Sequence, residues 1–396
     1  MATTPRDTLS TSSGWQAIVS DLPGDFEALA KEHKVLEVQY GEAKITSAED
    51  LLRLILLHGG AGFSLRQSVT IVAESGGPSV SHVTLHQKER LAAPYLAALV
   101  SALTASSAEA KPERWGGFEL TIVDGSSFAA PGSGGTSARV HVQLRLTDLD
   151  VLSAVVADAS VGESFKRFQW RKGQLAVGDR GYANPPGIGH VVEQGADVLV
   201  RVNRSALPTF TRGGERIDVM AWLRGLRGYT PAERPAVVCD REHGRSIEGR
   251  LVAVRLPESA AEKARAWVRR ELGSKASALD LEAARYVVLF TTVPTKRMSA
   301  AMCMDLYRLR WQVELTFKRW KSICAFDALP NHREDTILTW LNAKLLLALM
   351  MQRMASGASE LFPPEEDEDE CDAVVLDAVD DVPHPVARNR RRAAAA

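Results

Sequence analysis

The chain has 396 residues, of which 45% are hydrophobic and 24% are charged, and its formal net charge is −1. These values are typical of a globular protein and predict one large domain with insertions, or two to three domains. There is no run of about 18 apolar residues and no signal-peptide core, so we expect a cytoplasmic protein with no membrane partner. The four cysteines lack paired spacing, which argues against a zinc site or a disulfide framework.

The charge is unevenly distributed along the chain. Residues 363–385 contain ten acids and no Lys or Arg, and the last eleven residues contain four arginines. We expect this acidic, then Arg-rich tail (363–396) to be disordered. The rest of the chain carries about +5, and 296–333 alone holds eight basic residues against three acids. A local basic surface suits a nucleic-acid backbone, although a basic helix is often only a solvated face.

The first part of the chain has a helical pattern. Residues 1–14 are polar and predicted to be disordered. Residues 15–110 are predicted to form successive helices, one of them capped at Thr46 or Ser47. Two further helices flank the breaker Gly76-Gly77-Pro78, and the second (81–91) is rich in His, Thr, Gln, Lys and Arg. This pair fits a helix-turn-helix that binds a DNA end and a plain helical bundle equally well.

From Gly117 the pattern changes to strands. An antiparallel meander is followed by alternating helices and strands; the predicted strands are 118–123, 139–146, 151–157, 173–178 and 198–202, with helices at 162–170 and 188–194. This is the order of a ribonuclease-H-like fold. We therefore predict an α/β protein with a ribonuclease-H-like mixed sheet and a β-rich insertion, preceded by an all-α N-terminal domain. The predicted catalytic core is 117–203 and 295–355, and the insertion is 204–294, which we expect to cover the active site.

The segment from Tyr307 to Lys321 is predicted to be one uninterrupted helix, since it lacks Gly and Pro. On such a helix Tyr307, Arg310, Glu314 and Lys321 share a stripe about 60° wide. An apolar sector beside it suits core packing and consists of Leu306, Leu309, Val313, Trp320 and Ile323. A carboxylate flanked by cations suits metal-dependent phosphoryl transfer to or from nucleic acid. Alone, the same pattern is more often a solvated ion pair.

Two upstream acids occupy matching places. Asp124 follows the first predicted strand, and Asp179 follows the fourth, its neighbour in the predicted sheet. Carboxylates at the ends of adjacent strands can approach a common pair of ions, and Glu314 on a later helix can close the site. Hard oxygen ligands of this kind suit Mg²⁺ or Mn²⁺. Each Asp alone is most often a turn residue, but together the three predict a metal-binding triad.

The segments Val123-Asp124-Gly125-Ser126, Gly178-Asp179-Arg180-Gly181-Tyr182 and Tyr307-x2-Arg310-x3-Glu314-x6-Lys321 resemble the DDE transposases of bacterial insertion sequences. The resemblance is to the group with a Tyr-Arg-Glu-Lys signature and covers roughly residues 15–350. It implies two divalent ions (Mg²⁺ or Mn²⁺) per active site and no small-molecule cofactor. It also implies cut-and-paste transposition by a homodimer, in a synaptic complex with the terminal inverted repeats and target DNA, in association with the nucleoid.

The resemblance also assigns roles to single residues. Asp124, Asp179 and Glu314 match the catalytic metal ligands, and Tyr307, Arg310 and Lys321 match residues that contact DNA phosphates. Further DNA contacts are expected from Arg180, Trp311 and Lys318. Trp311 either stacks on an extruded base or packs in the core. Arg180 either contacts a phosphate or forms a structural ion pair.

Two alternatives to a transposase remain from the sequence. One is a nuclease of the same fold that cuts DNA without joining it; the long insertion argues against this smaller task. The other is a catalytically silent repressor that binds the terminal repeats. The intact acids Asp124, Asp179 and Glu314 argue against the repressor without proving activity.

Overall fold

A computed structural model describes residues 4–37, 45–109, 114–202, 206–330 and 333–361. The predicted disorder of the tail (363–396) lies outside these ranges and stays a prediction. The described residues form a mixed α/β structure built on one large sheet.

Helices fill the described chain before the sheet, as predicted. They are α1 (Pro5–Ser10), α2 (Ser12–Ser20), α3 (Phe26–Glu32), α4 (Ala48–Ile55), α5 (Leu65–Glu74), α6 (His82–Glu89) and α7 (Ala93–Glu109). Ser47 caps α4, as predicted, by accepting a hydrogen bond from the Asp50 N–H.

The predicted disorder of residues 1–14 is wrong from Pro5 onward. Thr4 caps α1 in a capping box, and Leu9 on that helix is fully buried. Arg6 donates to the Ala61 and Gly62 carbonyls across the fold. The prediction of disorder rested on polar composition, and it is wrong because a helix cap and long-range hydrogen bonds hold this segment in place.

The two helices around Gly76-Gly77-Pro78 are α5 and α6, as predicted. Two polar residues of α6 are used inside the fold. Lys88 is 1% exposed and donates to the Val35 carbonyl, and the buried Glu89 bonds His58 at 2.6 Å. These two side chains cannot contact DNA in this conformation, and a DNA-binding role for the helix pair stays a prediction.

Nine strands of the described chain form one sheet in the order β3-β2-β1-β4-β5-β9-β8-β7-β6. They are β1 (Glu119–Phe128), β2 (Ala138–Arg145), β3 (Val151–Asp158), β4 (Gln174–Gly178), β5 (Asp197–Arg201), β6 (Thr209–Phe210), β7 (Ala232–Asp240), β8 (Arg245–Arg255) and β9 (Tyr286–Thr291). The first three strands form the predicted antiparallel meander, and β4 lies parallel to both β1 and β5. The segment predicted as a strand-rich insertion supplies β6 to β9, which extend the sheet beyond β5.

The remaining helices are α8 (Pro185–Glu193), α9 (Val219–Arg224), α10 (Glu258–Leu272), α11 (Ala278–Ala283), α12 (Ala300–Arg308), α13 (Gln312–Cys324) and α14 (Glu334–Leu361). The helix predicted for 162–170 is wrong: only Phe165–Arg167 form a single 3₁₀ turn. Phe165, Phe168 and Trp170 are all buried, so tertiary packing rather than helical periodicity determines this segment.

A continuous hydrophobic core joins the N-terminal helices, one face of the sheet and α14. Leu341, Leu345 and Leu346 of α14 are fully buried, and α14 packs against α7. The N-terminal helices thus share their core with the sheet, and a separate N-terminal domain stays a prediction. No single described helix is long and apolar enough to cross a membrane; the bent pair α6–α7 passes by length and composition only.

Candidate active site

The register of two parallel strands brings Asp124 and Asp179 side by side. The last parallel pair between β1 and β4 is Ile122 with Val177. Two residues further along each segment there is an aspartate: Asp124 after Ile122, and Asp179 after Val177. Each is fixed by the backbone that follows it: the Asp124 Oδ1 accepts the Gly125 N–H, and the Asp179 Oδ1 accepts the Gly181 N–H, both at 2.8 Å.

The sequence predicted that Asp124 follows the end of its strand, and this prediction is wrong. Asp124 lies inside β1, where it pairs with Val142 of β2, and β1 continues to Phe128. Asp179 does follow its strand, since β4 ends at Gly178. The difference arises because β2 continues to pair with β1 after β4 has ended.

The segment from Tyr307 to Lys321 is not one helix. The helix α12 ends at Arg308, a 3₁₀ turn spans Leu309–Trp311, and α13 begins at Gln312. A 3₁₀ turn has 3.0 residues per turn, so the projection of one α-helix fails across it. Leu309 and Ile323, predicted to pack in the core, are 41% and 54% exposed, whereas the rest of the predicted apolar sector is buried.

Arg310 lies at the centre of this turn and connects the helix to the sheet. It is 4% exposed, its Nη2 is 2.9 Å from the Glu314 Oε1, and its Nη1 is 3.8 Å from the Asp124 Oδ2. Tyr307 is buried at the end of α12 beside Arg310, and burial raises the pKa of its phenol. Arg180, next to Asp179 in sequence, is half-buried.

The other predicted DNA contacts lie on the outer part of this region. Trp311 is 39% exposed, which excludes core packing for its ring. Lys318 is exposed. Lys321 is half-buried, and its Nζ lies 5.7 Å from the centre of the ring of Phe128, the last residue of β1.

Burial raises the pKa of two acidic side chains at the site. Burial raises the pKa of Asp124 to about 8, and the nearby charges of Asp179 and Glu163 add to this rise against the opposing charge of Arg310. Burial, followed by the charge of Asp179, likewise raises the pKa of Glu163 to about 7.

Two residues near the aspartates were missed by the sequence analysis. Glu163 follows β3 and carries no motif. His141 lies in β2 opposite Gly125 and is fully buried. Neither ring nitrogen of His141 makes a well-formed hydrogen bond with the described residues. The backbone of Val161 lies close to the ring and partly opposes the lowering of the His141 pKa. Burial, followed by the charge of Arg167, lowers the pKa of His141 to about 4.

The donors at the aspartates fit a hard divalent cation. Burial is the main cause of the raised pKa of Asp124, and the charge of Asp179 adds to it. A cation bound by the oxygens of both aspartates would offset both effects. Glu314 bonds Arg310 instead of completing a tight cluster with them. In the described part of the chain, the one set of three side chains with ligand atoms within 4.8 Å of one another is Asp240, Glu242 and His243, at the end of β7.

Comparisons with known proteins indicate the family of this chain. Residues 115–351 match the family described as "Transposase DDE domain". The chain is 31% identical over 360 residues to the transposase for insertion sequence element IS421 of Escherichia coli, covering 88% of this chain and 96% of the relative. It is 30% identical over 359 residues to the InsL protein of element IS186A of Escherichia coli (strain K12), with the same coverage. A more distant match, 25% identical over 264 residues, is the transposase for element IS231F of Bacillus thuringiensis subsp. israelensis, covering 57% of this chain and 54% of the relative.

The sheet, the paired aspartates and these matches define an enzyme that acts on DNA with a divalent metal. The chain belongs to the DDE transposases of bacterial insertion sequences.

Proposed function

We propose that this transposase works by cut-and-paste: it binds the terminal inverted repeats of its own element, hydrolyses the strand at each end and joins the freed 3′-hydroxyl to target DNA. The observation that carries the proposal is the pairing of Asp124 and Asp179 on adjacent parallel strands, with Arg310 between Asp124 and Glu314. The order β3-β2-β1-β4-β5 supports a ribonuclease-H-like core under this site.

Asp124, Asp179 and Glu314 are the proposed catalytic residues and metal ligands. Two Mg²⁺ or Mn²⁺ ions bound there would activate the attacking oxygen and stabilise the leaving oxygen of the phosphodiester. The backbone N–H groups of Gly125 and Gly181 fix the two aspartates before DNA arrives. Glu314 is held ready by Arg310 at 2.9 Å.

The surrounding cations and aromatics are the proposed DNA-binding surface. Arg180 is half-buried next to Asp179 and would hold a phosphate beside the cleaved bond. Arg310 and Tyr307 are buried beside the acids and would reach a phosphate only after the site rearranges around DNA. The exposed Trp311 and Lys318 would meet DNA further out, where the indole ring is free to stack on an extruded base. A complex that holds two transposon ends requires two copies of the chain, so we propose a homodimer in the synapse.

The substitution Glu314→Gln tests this function. It keeps the side chain's shape and its capacity to accept a hydrogen bond from Arg310 but removes the charge. We expect end cleavage to fall by at least about 100-fold, while the affinity for a duplex carrying the terminal repeat changes less than about threefold. Glu271→Gln, at an exposed position of α10, is the matched control.

Cleavage by Glu314→Gln at the wild-type rate would contradict the assignment of the third acid. Binding by the wild type without cleavage or joining, under every metal condition, would instead favour the repressor. Cleavage without joining would favour the nuclease.

A further inference from the structure

Glu163 reaches over the two glycines that follow the catalytic aspartates. A Cβ atom built on Gly181 would lie 1.8 Å from the Glu163 Oε2, and one built on Gly125 would lie 3.2 Å from its Oε1. Because glycine lacks a Cβ atom, Gly125 and Gly181 leave space, and the Glu163 side chain occupies that space. Its carboxylate thus lies between the backbone segments that carry Asp124 and Asp179.

The neighbouring Phe165 fixes this position. Phe165 is fully buried, and its ring packs against the rings of Trp170 and Tyr182. A Cβ built on Gly178, the residue before Asp179, would lie 2.8 Å from the Phe165 Cζ. The segment that carries Glu163 is therefore packed directly onto the end of β4, and the carboxylate is not placed by a free loop.

The Glu163 carboxylate has no structural partner that would explain its position. It makes no hydrogen bond or ion pair with a residue that the structure describes, although Arg139 and Arg310 lie near enough to attract it. A surface glutamate would gain solvation by turning outward, but this one is half-buried among other acids.

His141 gives an independent indication that this space is built for a ligand. Its ring is fully buried, both nitrogens lack a well-formed hydrogen bond within the described chain, and its Nδ1 would lie 3.2 Å from a Cβ on Gly125. The ring thus faces the same space as the Glu163 Oε1. A buried imidazole in this place can orient a carboxylate ligand in the way that outer residues orient the ligands of metal sites.

We propose that Glu163 is a fourth carboxylate of the metal-binding site, beside Asp124 and Asp179. This inference rests on the proposed function of those two aspartates. Glu163 supplies a further oxygen ligand for a divalent ion, and His141 is a positioning residue for it. The site therefore already places three carboxylates near one another while Glu314 is still bonded to Arg310. A bound ion would draw their oxygens closer together, since these do not all lie within 4.8 Å of one another.

The test is Mn²⁺ binding by the full-length, metal-free protein, measured by electron paramagnetic resonance of the free ion. Glu163→Gln is expected to weaken Mn²⁺ binding by at least about tenfold. Gly181→Ala keeps Glu163 but places a methyl group where its carboxylate lies, and we expect a similar loss. Asp124→Asn serves as the positive control and Glu271→Gln as the negative control, with thermal unfolding midpoints to show that each variant is folded.

The outcomes separate this inference from the proposed function. If Asp124→Asn loses Mn²⁺ while Glu163→Gln binds it like the wild type, the role of Glu163 is overturned and the aspartate site stands. If both variants bind Mn²⁺ like the wild type, the metal site itself is wrongly placed, and the proposed function fails with it. Should Glu163→Gln not fold, wild-type Mn²⁺ affinity of a folded Gly181→Ala overturns the role of Glu163.

Discussion

At the scale of single residues, the site is held in a strained electrostatic state. Burial is the main reason that the pKa values of Asp124 and Glu163 are raised; the charge of Asp179 raises both further, and the charge of Arg310 opposes the rise. Such sites destabilise the fold in exchange for affinity toward a cation.

Asp124→Asn is therefore expected to stabilise the metal-free protein at alkaline pH. The folded-state pKa of Asp124, about 8, lies above the ordinary value of 3.8. As pH rises from about 4 to 8, the unfolded chain releases a proton that the folded chain retains, and the free energy of unfolding falls. The Asn variant lacks this loss and should gain about 2 kcal/mol over the wild type at pH 8. The expected gain is smaller than the full ~1.4 kcal/mol per pKa unit, because part of the electrostatic cost is relieved when a neighbouring acid binds a proton instead of Asp124.

Urea denaturation in chelator at pH 5 and pH 8 checks this expectation. The advantage of Asp124→Asn should grow between the two values, whereas Asp305→Asn, at an exposed position of α12, should show no such growth. An equal advantage at both pH values, or a loss at pH 8, would show that Asp124 is not strained.

The sequence indicated Asp124 and Asp179 as candidate ligands because each follows the apolar residues of a predicted strand, although Asp124 lies inside β1 and not at its end. The sequence was not sufficient to find Glu163. That carboxylate is positioned by the packing of Phe165 on Gly178, which is a contact between segments that no periodicity records. The exposure of Trp311 was likewise beyond the sequence, since it depends on the 3₁₀ turn.

At the scale of elements, the break between α12 and α13 has a functional consequence. The turn at Leu309–Trp311 lets Arg310 point toward the sheet and bond Glu314 one turn further on. The helix-forming residues of this segment predict a continuous helix, and helix propensity is a weak signal that tertiary contacts override. The tertiary contact made at this turn is that of Arg310 with Asp124, at 3.8 Å.

The other end of α13 carries a conformational cost that a substitution can relieve. Ala325 caps the helix at φ 45° and ψ 50°, a left-handed conformation that costs an L-residue about 1 kcal/mol or more. Ala325→Gly is expected to raise the free energy of unfolding by about 0.5–1 kcal/mol, the gain being limited by the greater freedom of glycine in the unfolded chain.

Urea denaturation at neutral pH measures this effect. Ala266→Gly, at an exposed position inside α10, is the control and should lower stability by about 1 kcal/mol. If Ala325→Gly behaves like Ala266→Gly, the left-handed cap is not a cost to the fold.

At the scale of the whole molecule, one sheet links the site to the rest of the chain. The strands β6 to β9 extend the sheet from β5, and the N-terminal helices share a core with α14 and one face of the sheet. The sequence predicted which of these segments is helical and which is rich in strands. Their joining was not predictable, because sheet neighbours and shared cores depend on contacts between residues far apart in the chain.

The most direct test of the central claim is end cleavage by Asp179→Cys, compared with the wild type on a duplex that carries the element's own terminus. A thiolate is a poor ligand for Mg²⁺ and a better one for Mn²⁺. We expect the wild type to release a 3′-hydroxyl end with either ion but not in chelator. Asp179→Cys should be inactive with Mg²⁺ and partly restored by Mn²⁺. Wild-type cleavage in chelator, or undiminished cleavage by Asp179→Cys with Mg²⁺, would contradict the claim that Asp179 binds the metal that cuts DNA.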